Sequence, residues 1–391
     1  MKKVYILFCW SQTFGGGQNY VNSKIQYLER NNWDVVVFTV REFSDDRIVW
    51  NNIKKYKNNI NYNIGYSPYI LTKNKRTKVL QWMKERIDLS AEKIIIESCT
   101  DITAQWGELL AKEVNGKNFC FLLDERLEEY EAIPFLYFKF SRGEVAGIHS
   151  SSIPRLFKAY NVTDGEKYVL VAANNGSVAD VENEKVRHIP HDDWNIAYLG
   201  RDKGYVKNIV NGVYNFSRNH IDHHINFIIM GDITSANNLQ KPKNLTHINI
   251  GFLNPIPKSF FQKVDVIIAG AGCAKLSARE GCLTIVADAK TFMSNGILGI
   301  STKNSLFSDV GESYEETLEK VLVKKIYHSD DINIEPMQDS NMCYADHFKY
   351  INKSSEKVEY YNFDDNPQKI GLKHKIHYFK NSIKFTLLNK M

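Results

Sequence analysis

No apolar run in this 391-residue sequence approaches the roughly eighteen residues that a membrane-spanning helix needs, so a helical span is set aside. Cysteine is sparse. The six, at positions 9, 99, 120, 273, 282 and 343, show no CxxC spacing and sit mostly in apolar contexts, which points to a reducing cytoplasm without a disulfide framework or a zinc site. Acidic residues are missing from Gly371 to Met391, where Lys373, Lys375, Lys380, Lys384 and Lys390 stand. With 50 Lys+Arg and 45 Asp+Glu in the whole chain, the formal excess of +5 resides in that tail, and the body before it balances. A balanced body offers nucleic acid no phosphate-tracking surface. The tail alternates its lysines with Leu372, Ile376, Tyr378, Phe379, Ile383, Phe385, Leu387 and Leu388. Two readings fit it: docking on an anionic membrane surface at the inner face of the plasma membrane, or a terminal helix packed on the body.

What is present has globular composition, 43% hydrophobic and 24% charged, and is too long for one ordinary core, so two domains are expected. Lys2 and Lys3 before an apolar run imitate a signal peptide. The run is short, lacks a small-residue cleavage site and leads into Gly15-Gly16-Gly17, so a first β-strand is the expectation. Val4 to Cys9 as strand, the glycines as turn, Asn19 to Arg30 as helix and Trp33 to Val40 as strand open a doubly wound α/β domain. The glycines either leave room for a ligand or form a structural turn. Lys93 to Ile96 reads as a buried parallel strand ending at Glu97, Ser98 and Cys99. Open α/β sheets place ligands at such strand ends, which nominates Glu97, Ser98 and Asp101. Asp124 and Glu125 follow another strand, Asn118 to Leu123, and read either as a base or as a solvated helix start. Ser150 to Ser152 are expected to cap the helix from Pro154. The expected domains are 1–175, a linker at 176–193, 194–345, and a helical basic tail at 346–391.

The second domain repeats the pattern. Trp194 to Leu199 reads as strand, Gly200-Arg201-Asp202-Lys203-Gly204 as turn and Tyr205 to Phe216 as helix, which puts two cations at a strand end where a diphosphate can sit. His220, His223 and His224 lack a carboxylate or thiolate partner at metal spacing and read as a solvated helix end. The stretch VDVIIAGAGCAKLSAREGCLTIVADAK from Val264 to Lys290 compresses strand, glycine turn, helix and strand into one unit. Gly270-Ala271-Gly272 removes side-chain bulk where the strand ends, and amides from Cys273 onward can cradle a phosphate. Close helix-strand packing is the plainer explanation of the same glycines. Gly281 is expected to stop the helix.

These residues together resemble a glycosyltransferase of the GT-B architecture, two Rossmann-like domains facing across a cleft. FGGGQNYVNSKIQYLERNNWDVVVFT resembles the first loop and helix of family 4 transferases, which border acceptor and transferred sugar. YLGRDKG resembles their Gly-Arg…Lys-Gly turn, implying that Arg201 and Lys203 bind the donor diphosphate. FIIMGD and the 264–290 unit resemble the remaining donor-domain elements, and the likeness covers most of residues 1–330. One departure stands out. Family 4 enzymes carry two donor-region glutamates eight positions apart, and alignment on Gly281 puts Leu276 and Ile268 there, while alignment on Glu280 puts Gly272 at the first. The pair does not carry over, so stereochemistry stays open, and the GAG turn looks closer to GT-B branches that bind phosphate through amides.

The resemblance implies a cytoplasmic enzyme with a nucleotide-sugar donor, a lipid-linked or glycan acceptor of a bacterial surface polysaccharide, and no cofactor or metal. Arg201, Lys203 and the amides of Gly270, Ala271, Gly272 and Cys273 meet the leaving diphosphate, and Gly15, Gly16 and Gly17 border the sugar. An inverting transfer needs a base, for which Glu97, Asp101 and Asp124 are the nominees. A nucleotide-sugar epimerase and a non-catalytic GT-B-like accessory protein are the competing expectations.

Overall fold

The computed structural model describes all residues except 1, 12–14, 42–50, 124–126, 173–177, 192–193, 307–310, 337–338, 356, 366–370, 373, 377 and 381–391. Two compact units form, one from residues 1–175 with 338–391, the other from 176–337.

The first unit carries a five-stranded, all-parallel sheet of β1 (Lys3–Ser11), β2 (Asp34–Arg41), β3 (Lys93–Ser98), β4 (Lys117–Leu122) and β5 (Val145–Gly147), in the order β2-β1-β3-β4-β5. Its strands are apolar on both faces because helices cover both: β2 is buried at every position but its two ends. Helix α1 (Gly16–Arg30) buries Tyr20, Val21, Ile25 and Leu28 on one side of the sheet. On the other lie α2 (Lys73–Lys84) and α3 (Asp101–Val114), which supply Val79, Met83, Trp106 and Leu110. Thr100 and Thr103 form a reciprocal capping box that starts α3, and Asn115, at φ 51°, takes the left-handed residue that ends it.

The second unit carries β6 (Trp194–Gly200), β7 (Ile225–Gly231), β8 (Leu245–Asn249), β9 (Val266–Ala269), β10 (Thr284–Ala287) and β11 (Ser294–Ile297), in the order β11-β10-β9-β6-β7-β8. Every pairing is parallel except β10 with β11. Helix α4 (Val206–Asn219) packs Val206, Ile209, Val210, Val213 and Phe216 under β6, β7 and β9. Helix α5 (Ala271–Arg279) covers the opposite face with Ala274 and Ala278. Gly281, at φ 82°, ends α5 as the glycine signal requires.

The units divide differently from the sequence expectation at two places. The segment expected as linker contains a short helix, Glu184–Arg187, whose Val186 and the following Ile189 are buried in the second unit's core. The last long helix, α6 (Ser340–Lys353), begins inside the expected second domain yet belongs to the first unit, where Cys343, Tyr344 and Ile351 join the core beside α1. Phe348 stacks on Trp33 at 5.4 Å and Tyr344 packs against Tyr27 at 5.2 Å. A smaller difference is local. The helix expected from Pro154 begins at Ser152, as Ser152–Leu156, and starts without a side-chain cap from Ser151.

Candidate functional site

In the second unit the chain leaves β6 toward β7 and β8, then returns to the other side of β6 with β9 and β10. The order therefore reverses between β6 and β9, and open α/β sheets place ligands at the carboxyl ends of such a pair. The turn after β6 is Gly200 to Gly204, and its backbone is pinned from beneath: Tyr198 donates its hydroxyl to the Arg201 carbonyl at 2.5 Å, and Asp202 accepts from the Ser235 amide at 2.7 Å. Gly200 and Gly231 touch so closely that a Cβ on Gly231 would lie 1.7 Å from the Gly200 oxygen. The turn after β9 is Gly270 to Cys273. Gly270 permits contact with Tyr205, since a Cβ there would sit 2.9 Å from the Tyr205 hydroxyl. Ala271 holds φ at 54°, a left-handed conformation that costs a non-glycine residue energy, and its amide donates to the Ser305 carbonyl at 2.7 Å. The amides of Gly272 and Cys273 fall in the first helical turn, where no intrahelical acceptor exists.

The electrostatics connect the two turns. Burial pushes the Cys273 thiol up, while Lys203 and Arg201 act in the opposite direction, so both cations lie within electrostatic reach of the first turn of α5. Lys203 also lies 5.8 Å from the Tyr205 ring centroid, Arg201 is exposed and Lys203 is half-buried. Two cations and the positive end of a helix thus stand at adjacent strand ends, an arrangement suited to an anion with several oxygens. At the neighbouring strand end Asp288, fully buried, closes its own turn by accepting from the amides of Lys290 and Thr291, each at 2.7 Å. Ile268, one of the positions where the resemblance would want a glutamate, is wholly buried in β9.

The first unit reverses between β1 and β3. Gly15 caps α1 in an extended conformation, while Gly16 and Gly17 are exposed residues of the helix itself, so the expected glycine loop is in its second half a helix start. Glu97, nominated as a base at the end of β3, is 3% exposed and saturated. It pairs with the buried Lys24 ammonium and accepts from Tyr5 at 2.6 Å and Tyr20 at 2.5 Å. Burial pushes its carboxyl up, but the Lys24 charge and the hydrogen bonds from Lys24 and Tyr20 outweigh it and hold the group below the ordinary range. Lys24 donates to His347 Nδ1 at 3.1 Å, and His347 Nε2 donates to the Val171 carbonyl at 2.8 Å, which makes the imidazole neutral with its proton on Nε2. This is a correction: a base must reach its substrate, and Glu97 is spent on joining α1, β3 and α6.

Asp101, the first residue of α3, behaves differently. It accepts from the amides of Ile102 at 2.8 Å and Glu131 at 3.1 Å, and burial raises its carboxyl. It lines a cavity of about 200 Å³ together with Trp10, Tyr62, Tyr66, Gln105, Glu131 and His374. Ser98, the third strand-end nominee, donates to the Thr103 carbonyl at 3.2 Å and the Asn118 side chain at 3.0 Å, inside the core. Asp124 and Glu125 lie outside the described residues. The three histidines diverge: His220 meets Glu319 at 2.8 Å, His223 stacks on Trp194 at 4.2 Å and His224 meets Thr246 at 3.0 Å. Sequence reasoning missed Lys24, whose signal was a lysine one turn from Tyr20 on the apolar face of α1. It also missed Trp10, Glu131 and His374, which local pattern does not join.

No family model matches the sequence, and no curated protein matches it. Solved structures do match in three dimensions. The S. aureus MnaA–UDP co-structure superposes with a TM-score of 0.52 at 12% identity, covering 93% of this chain and 100% of that one. The fold is GT-B. The lipopolysaccharide outer core galactosyltransferase WaaB, in its apo form, gives 0.54 at 15% identity over 90% of this chain and 99% of its own. A Methanocaldococcus jannaschii UDP-GlcNAc 2-epimerase in complex with UDP-GlcNAc and UDP gives 0.50 at 15% identity over 90% and 99%. Likeness at these identities is likeness of fold, shared by a transferase and epimerases alike; it does not single out family 4.

Proposed function

We propose that this protein is a glycosyltransferase that moves a sugar from a nucleoside diphosphate sugar to a bacterial surface-glycan acceptor. The observation that carries the proposal is the placement of Arg201, Lys203 and the amino end of α5 at the reversal point of the second sheet. In sugar transfer the diphosphate departs as the anomeric carbon becomes cationic. Negative charge grows on the leaving oxygens, where Arg201, Lys203 and the amides of Gly272 and Cys273 would meet it. In an inverting transfer Asp101 takes the acceptor hydroxyl's proton: its raised carboxyl suits a base, and the cavity it lines has the aromatic walls of Trp10, Tyr62 and Tyr66 that a sugar ring packs against.

A nucleotide-sugar epimerase is the second reading, favoured by full-length fold likeness to structures that hold UDP. The two part on the need for an acceptor. The test incubates the protein with UDP- and GDP-sugars, first alone and then with glycan acceptors. Product that appears only with acceptor supports transfer; interconversion of the donor alone supports the epimerase. If none of these nucleotides raises the melting temperature or yields product, the donor site is wrong and the accessory-protein reading takes its place.

A further inference from the structure

The terminal strap of the first unit is docked by an unexpected face. Gly371 donates its amide to Glu131 at 3.0 Å, and His374 meets the same carboxylate at 3.0 Å. Tyr378, one turn after His374, sets its ring edge-on to Tyr66 at 5.1 Å and accepts from Lys75 at 3.2 Å. The backbone is helical at 374–376 and 378–380. Its apolar stripe points the other way: Leu372, Ile376 and Phe379, spaced i, i+4, i+7, are 72%, 46% and 69% exposed. A helix that served only to cover the body would turn that stripe inward.

Besides the Glu131 carboxylate, the strap meets a cationic stretch. Lys75, which receives Tyr378, belongs to the first turns of α2, where Lys73, Lys75, Arg76 and Lys78 crowd together and no acid occurs from Leu71 to Lys84. Lys73, Lys78, Lys375 and Lys380 are exposed. We infer that the start of α2 and the terminal strap form one docking face for an anionic lipid bilayer, with Leu372, Ile376 and Phe379 entering the headgroup layer and the lysines lying on phosphates. A second copy is the poorer occupant, because isologous pairing would press this cationic face against itself. Among the described residues no helix is long and apolar enough to cross a membrane, so the attachment is peripheral. The inference does not depend on the nucleotide-sugar proposal, and vesicle binding is read without turnover.

The test sediments the full chain with vesicles of phosphatidylglycerol and phosphatidylcholine, and with phosphatidylcholine alone. The anionic vesicles should bind at least about ten-fold better, with binding lost as salt rises. Leu372→Ser with Phe379→Ser, and separately Lys73→Glu with Lys78→Glu, should each lower partition about ten-fold or more. Because these positions are exposed, melting temperature should not move. Equal binding to both vesicle types, or full binding by both variants, overturns the inference. So does a chain that sediments as a dimer and becomes monomeric in the Leu372→Ser, Phe379→Ser variant, which would assign the stripe to a second copy.

Discussion

Both units reverse strand order around a central strand, yet the two reversal points use charge in opposite ways. In the first, Lys24 and Glu97 are fully desolvated and closed by Tyr5, Tyr20 and His347. In the second, Arg201 is exposed and Lys203 is half-buried, in a turn that Tyr198 fixes at the Arg201 carbonyl and Asp202 fixes at Ser235. The same topological position is therefore a structural lock in one unit and the proposed anion site in the other. What separates them is burial: the first pair is withdrawn from water and must be satisfied inside the fold, whereas the cations of the second stay within reach of solvent.

Breaking the lock should give the largest effect. Lys24→Met leaves the Glu97 carboxylate buried without its cation and should cost about 3 to 5 kcal/mol of stability, read from the urea midpoint of unfolding. A loss under about 1 kcal/mol would show that the network is dispensable and would erase the contrast. Arg201→Ala should leave that midpoint unchanged and remove about 2 to 4 kcal/mol of transition-state stabilisation, seen as a fall in kcat/KM with a nucleotide sugar. Unchanged turnover would remove Arg201 from the site.

The lock should also be sensitive to acid. His347 is pushed down to about 3, first by burial and then by Lys24, whereas an unfolded chain titrates its histidines near 6.5. The unfolded state therefore binds the extra proton between those limits, and stability falls as pH drops below about 6.5, by about 1.5 kcal/mol at pH 5, and stops falling on this account near pH 3. Glu97, also held below its ordinary range, acts in the same direction. Urea midpoints measured across this range should slope accordingly, and His347→Gln should flatten the slope. The smallest effect concerns the proposed anion site. In Gly270→Ala the new methyl meets the Tyr205 hydroxyl, and UDP affinity measured by calorimetry should weaken by about 1 kcal/mol. Adding Tyr205→Phe removes the nearest obstacle and leaves the Ala287 carbonyl at 3.2 Å, so it should restore part of it.

The elements of the proposed donor side were legible because they are contiguous. Strand, small-residue turn and helix lie within 264–290, and Arg201 with Lys203 stand in one turn, so period and turn chemistry place them without knowledge of distant partners. The first unit's strand-end residues were much less so. Glu97 was nominated correctly as a strand-end residue, but that position says nothing about exposure, and its cation comes from α1 and its histidine from α6. The cavity around Asp101 draws Trp10 from β1, Glu131 from beyond β4 and His374 from the terminal strap, a set that no local pattern assembles.

By itself the sequence determined two successive parallel α/β units, since unbroken apolar strands require helices on both faces and the glycine turns mark where strands hand over to helices. It also determined that the surplus positive charge lies at the carboxy terminus. Only the tertiary structure decided that α6 returns to the first unit and that the strap beyond it docks through His374 and Tyr378 with its apolar stripe outward. An amphipathic helix specifies that it needs a partner surface. Which surface it takes depends on groups hundreds of residues away, here the buried Lys24 and Glu97, whose remaining polar valence His347 completes.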